Sequence, residues 1–85
     1  MINIKATYDD ETNKITLELS HNKETEVIEA SVRPSGKFRF SYHHPELDKP
    51  DSYQGMFISD TKFVIYPMFG VGVISQETIS LESDN

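Results

Sequence analysis

Met56-Phe57-Ile58-Ser59-Asp60-Thr61-Lys62-Phe63-Val64-Ile65-Tyr66-Pro67-Met68-Phe69-Gly70-Val71-Gly72-Val73-Ile74 holds most of the large apolar side chains in the second half of an 85-residue chain. Its apolar residues are too dense for simple alternation, which predicts strands covered on both faces. Turn signals at residues 59–62 and 67–70 cut the stretch into three short antiparallel strands. These are expected at 53–58, 63–66 and 71–74, with a last strand at 78–81. The tip Pro67-Met68-Phe69-Gly70 is a four-residue loop with Gly70 in the left-handed position. Met68 and Phe69 there form either a lid over the end of the fold or an exposed anchor, and both residue types suit interfaces.

Working outward, Ile2, Ile4, Ala6 and Tyr8 alternate with polar residues, as do Ile15, Leu17 and Leu19. A loop from Asp10 to Asn13 puts Asp9 at the start of a type I turn and Asn13 in the left-handed region that Asn tolerates. The resulting register pairs Tyr8 with Ile15, Ala6 with Leu17 and Ile4 with Leu19. A slip of one residue would scatter these side chains over both faces. Residues 21–24 form a polar connection. Arg33-Pro34-Ser35-Gly36-Lys37 reads as a three-residue hairpin loop with Gly36 at positive φ. It pairs Val32 with Phe38, Ala30 with Phe40 and Ile28 with Tyr42. Residues 43–52 hold Pro45 and Pro50 and read as a long loop with one helical turn opening at Pro45.

No 3.6-residue periodicity stands out, and Ile, Val, Thr, Ser and aromatics are common. The expected fold is all-β: a small antiparallel barrel or two-layer sandwich of about seven short strands, joined mostly by hairpins. It occupies residues 1–85 as a single domain, with 82–85 as a frayed tail. There is no cysteine and no Cys/His zinc spacing, so neither staple is expected in a core that small.

The formal net charge of −6 weighs against nucleic-acid backbones and anionic membranes as partners. Without a leader-like N-terminus or a long apolar run, the expected location is the cytoplasm. Phe38, Phe40 and Tyr42, with Lys37 and Arg39 between them, resemble a base-stacking platform, but the register sends the aromatics to the core. Glu24 and Glu26 would stand about 6.6 Å apart on one face, near the phosphate spacing that a nucleic-acid mimic needs. His43, His44, Glu46 and Asp48 are the weak metal candidates, since imidazole and carboxylate suit transition metals. No cofactor is expected. With no activated nucleophile and no phosphate-cradling glycine loop, no enzymatic activity is expected.

The leading expectation is a small acidic protein-binding module, an inhibitor or accessory regulator of the size seen among bacterial and phage-encoded regulators. It would dock a basic or nucleic-acid-binding protein through Pro67, Met68, Phe69 and Gly70, with Asp9, Asp10 and Glu11 as an acidic flank. The alternatives are a homo-oligomeric assembly subunit that buries Met56, Phe57 and Phe69 between copies, a nucleic-acid mimic, and a small-ligand or metal binder.

Overall fold

A computed structural model of the protein describes residues 2–82. The described residues form strands and turns without a helix. The strands are β1 (Asn3–Asp9), β2 (Lys14–His21), β3 (Glu24–Ser31), β4 (Lys37–Tyr42), β5 (Asp51–Phe57), β6 (Lys62–Pro67) and β7 (Glu77–Ser80). β1-β2-β3 form one antiparallel sheet and β4-β5-β6-β7 the other, each a meander in sequence order. The two sheets pack face to face as a sandwich.

The first hairpin has the expected register, with Tyr8 opposite Ile15, Ala6 opposite Leu17 and Ile4 opposite Leu19. Its turn chemistry holds as well. The Glu11 N–H donates to Asp9 Oδ1 at 3.0 Å, and Asn13 sits at φ 58°. Ala6, Ile15, Leu17, Leu19 and Ala30 supply one inner face. Phe38, Phe40, Tyr42, Tyr53, Phe63, Ile65 and Ile79 supply the other. Phe38, Phe40 and Tyr42 are therefore core, while Lys37, Arg39 and Ser41 are exposed.

Residues 33–37 turn as expected, with Gly36 at φ 86° and its N–H donating to Arg33 O at 2.8 Å. The strands on either side do not zip, however. After one bond, Arg33 N–H to Lys37 O, β3 stays with β2 and β4 pairs with β5. The Val32 N–H donates to Asn13 O in the first sheet, and Gly36 O accepts from Phe57 N–H in the second. Five residues, 32–36, thus carry the chain from one layer to the other. Ala30 and Phe40 both join the core, but Ala30 pairs with Ile15 and Phe40 with Tyr53 rather than with each other. The cause lies further up β3. Opposite Leu19 and His21 on β2 stand Glu26 and Glu24, so the upper half of the inner face of β3 is charged and both glutamates are exposed. Zipping β3 onto β4 would bury them. Inward-pointing charge also keeps this edge from pairing with another chain.

The other seam lies between β1 and β7, where the Glu82 N–H donates to Ala6 O at 2.8 Å. Glu82 is therefore tied to the sheet, not frayed, and residues 83–85 of the expected tail lie outside the described residues. Neither seam is a continuous ladder, so the barrel alternative gives way to the sandwich.

Two further expectations are corrected. β5 and β6 are buried on one face only, and Gln54, Met56, Val64 and Tyr66 on the other are half-buried. Residues 71–74 are not a strand. Their backbone bonds to side chains instead, and β7 takes the place beside β6.

Candidate functional site

The meander fixes which loops share an end. The 22–23 turn, the 43–50 loop and the 68–76 loop lie at one end of the sandwich. The 10–13, 32–36 and 58–61 turns lie at the other. Along a molecule with a longest extent of 35 Å, Asp9, Asp10 and Glu11 therefore stand away from Pro67–Gly70. The structure does not bring the expected tip and its expected flank together. The acidic residues on the tip's own end are Glu24, Glu26, Glu46, Asp48, Asp51 and Glu77, against Lys23 and Lys49. Met56, Phe57 and Phe69, the expected oligomer surface, are also dispersed. Met56 lies on the outer face of β5. Phe57 packs on Tyr8, Phe38 and Phe63 with ring centroids 5.4–6.0 Å apart.

The 68–76 loop is built on Tyr53, which is fully buried on the inner face of β5. The Tyr53 hydroxyl donates to Asp51 Oδ2 at 3.1 Å and accepts the Ile74 N–H at 3.1 Å. The same Asp51 oxygen accepts the Val73 N–H at 3.2 Å. The Met68 N–H donates to Ser52 O at 3.0 Å. Gly72 lets the backbone pass close above the phenol, since a Cβ there would sit 2.6 Å from the hydroxyl. Ile74 turns inward and is 3% exposed, closing the end of the core. The part of lid expected of Met68 and Phe69 thus falls to Ile74. Met68 is half-buried. Phe69 and Val71 project outward, each 78% exposed. Pro67 ends β6 opposite Tyr53, and Gly70 takes the expected positive φ.

This network has a pH consequence. Burial, first of all, lifts the Tyr53 phenol above its ordinary 10.0; the Ile74 N–H offsets part of this, and Asp51 adds to it. A raised folded-state pKa means that the fold holds the proton more tightly than the unfolded chain. The contribution is intact below about pH 10 and is lost as pH rises through the folded value. Stability measured by denaturant should therefore fall on alkaline titration. Tyr42 adds to the same trend, raised by burial and then by Glu26 and Glu24. A denaturation midpoint that stays flat as tyrosinate absorbance appears would contradict this.

On the same end, His44 is 6% exposed despite its polar ring. Its Nδ1 accepts the Glu46 N–H at 3.1 Å, and Glu46 Oε2 lies 4.0 Å from the same nitrogen. The His21 ring packs edge-on against it, with centroids 4.3 Å apart. Donor atoms of His21, His44 and Glu46 all lie within 4.8 Å of one another. Of the expected metal candidates, His44 and Glu46 therefore come together. His43 turns away, its Nε2 2.7 Å from Leu47 O, and Asp48 is not part of the group. Sequence reasoning missed His21. It lies 23 positions before His44, and only the pairing of Glu24 opposite His21 at the top of the first sheet hints at which way it faces.

A groove of about 440 Å³ lies at the far end, lined by Tyr8, Asn13, Val32, Arg33, Phe57 and Asp60. It brings together one guanidinium, one carboxylate and the hydroxyls of Tyr8 and Ser59, and no histidine lines it. No protein-family model matches the chain, and no curated protein or solved structure is detectably similar to it.

Proposed function

We propose that the protein is a non-enzymatic binding module that docks a protein partner through Phe69 and Val71. The observation that carries this reading is a loop that exposes two large apolar side chains while its backbone is tied to a buried post. A loop held in one conformation loses less entropy on binding than a floppy one. Exposed aromatics on a fixed backbone are the usual energetic centre of an interface. The partner surface that fits is an apolar pocket with a basic rim, since the acidic residues Glu46, Asp48 and Glu77 share the tip's end of the sandwich.

The test is Phe69→Asp, made where the side chain touches no core residue. The variant should keep the wild-type fold by circular dichroism. A protein captured by the wild type should bind it roughly tenfold or more weakly, as loss of an interface anchor requires. Contacts through the loop should survive a high-salt wash, because salt screens exposed charge pairs and spares apolar contact. Capture unchanged by Phe69→Asp would sink the reading. Light scattering separates the assembly alternative: self-association abolished by the same substitution would make the occupant a second copy of this chain.

A further inference from the structure

We propose that His21, His44 and Glu46 form a zinc site that clamps the two sheets together. Two imidazoles and one carboxylate are a donor set that Zn²⁺ accepts with a fourth position left to water. The three side chains come from different layers. His21 is the last residue of β2 in the first sheet, while His44 and Glu46 follow β4 in the second. They meet at the corner where β3 and β4 do not zip and where Glu24 and Glu26 stand exposed. A divalent cation would therefore enter a field that is already negative.

The geometry is open but within reach of the ion. Donors around tetrahedral zinc, at about 2.0–2.2 Å from the metal, stand roughly 3.3–3.5 Å from one another. Those present lie within 4.8 Å, and His44 Nδ1 to Glu46 Oε2 is 4.0 Å. The carboxylate can close that gap, because the Glu46 side chain is exposed and free to rotate. His44 offers a defined lone pair. With Nδ1 accepting an N–H, the neutral ring carries its proton on Nε2, so the ion takes Nδ1 and displaces the Glu46 N–H. The turn survives that exchange because the Leu47 N–H still donates to His44 O at 3.0 Å. A plain packing role, with His21 and Tyr42 edge-on against His44, requires no metal and makes the opposite predictions.

The probe is Zn²⁺ alone, added to chelator-treated full-length protein. Calorimetry should show one ion per chain, and the thermal midpoint should climb with the logarithm of free zinc, because the ion binds the folded state. His21→Ala and Glu46→Gln should each weaken binding by at least the roughly tenfold that losing even a supporting partner costs a metal site. Glu46 is exposed, so the metal-free midpoint of Glu46→Gln should stay near that of the wild type, while His21→Ala also loses its ring contact with His44 and its zinc-induced rise is read against its own metal-free midpoint. His43→Ala should bind zinc as the wild type does. No rise in midpoint at millimolar zinc would overturn the proposal. So would a rise that persists undiminished in His21→Ala, which would mark adventitious surface binding.

Discussion

Gly55→Ala is expected to destabilise the protein by about 3 kcal/mol, the upper range for forcing extra volume into a packed core. In a domain this small that lowers the thermal midpoint by about 12–24 °C. Gly55 lies opposite Phe38 on the neighbouring strand. A Cβ there would sit 2.1 Å from the Phe38 ring tip and 2.5 Å from two more ring carbons. The ring cannot swing away. Phe63, Phe57 and Phe40 surround it with centroids 5.4–6.3 Å distant. Alanine is the better strand residue in isolation, by roughly 0.5–1 kcal/mol, but the steric effect is larger. The aromatic ring laid over a strand glycine is what both residues are for. Phe38→Ala alone should cost about 3–5 kcal/mol through the cavity it leaves. Once the ring is gone, adding Gly55→Ala should cost less than about 0.5 kcal/mol, since nothing remains to clash with. Denaturant unfolding of the four proteins in that cycle reads the coupling directly. Additive losses would mean that Phe38 does not lie over Gly55.

Tyr53→Phe is expected to cost about 2–3 kcal/mol although it removes a single oxygen. That oxygen carries two bonds. Without it the buried Ile74 N–H has no acceptor, and Asp51 keeps only the Val73 N–H. An orphaned buried donor costs about 1–3 kcal/mol, and a bond to a carboxylate about 1.5–3 kcal/mol. Water reaching the half-exposed Asp51 keeps the sum below their total. The ring still fills its place in the core, so the loss should centre on the 68–76 loop. Partner binding should weaken in parallel, because Phe69 and Val71 lose their fixed backbone. Tyr53→Phe with unchanged stability would show that the loop is held by something else.

The first hairpin was legible to the residue because its turn and its alternation agree: Asp9 and Asn13 set the loop length, and six apolar residues then fall on one face. The second turn was equally clear at Pro34 and Gly36, yet the pairing inferred from it was wrong. Turn chemistry fixes the reversal of the chain but not whether the strands stay in one layer. The deciding residues, Glu24 and Glu26, sit a full strand away from the turn. Val71-Gly72-Val73-Ile74 looked like a strand by composition. It is not one because a phenol and a carboxylate from β5 take its amides, and side-chain acceptors from a distant strand leave no trace in local pattern. The same limit hid His21. Metal spacing read along the chain finds neighbours such as His43, whereas the donor that meets His44 comes from the other sheet. The apolar tip at Phe69 was visible in the sequence, though not whether it would be a lid or exposed. Its expected acidic flank was not, because the ends of the sandwich are assigned only when strand order is known.

The docking reading depends on the loop holding Phe69 and Val71 in place before any partner arrives. Amide hydrogen exchange at Val73 and Ile74 in the free protein measures this most directly. Both lie outside the strands, so protection can come only from Asp51 and Tyr53. Slow exchange at both amides, lost at Ile74 in Tyr53→Phe while the β5–β6 amides stay protected, is the expected result. Exchange at the rate of an unstructured peptide in the wild type would contradict it, and with it the claim that this loop is a prepared docking element.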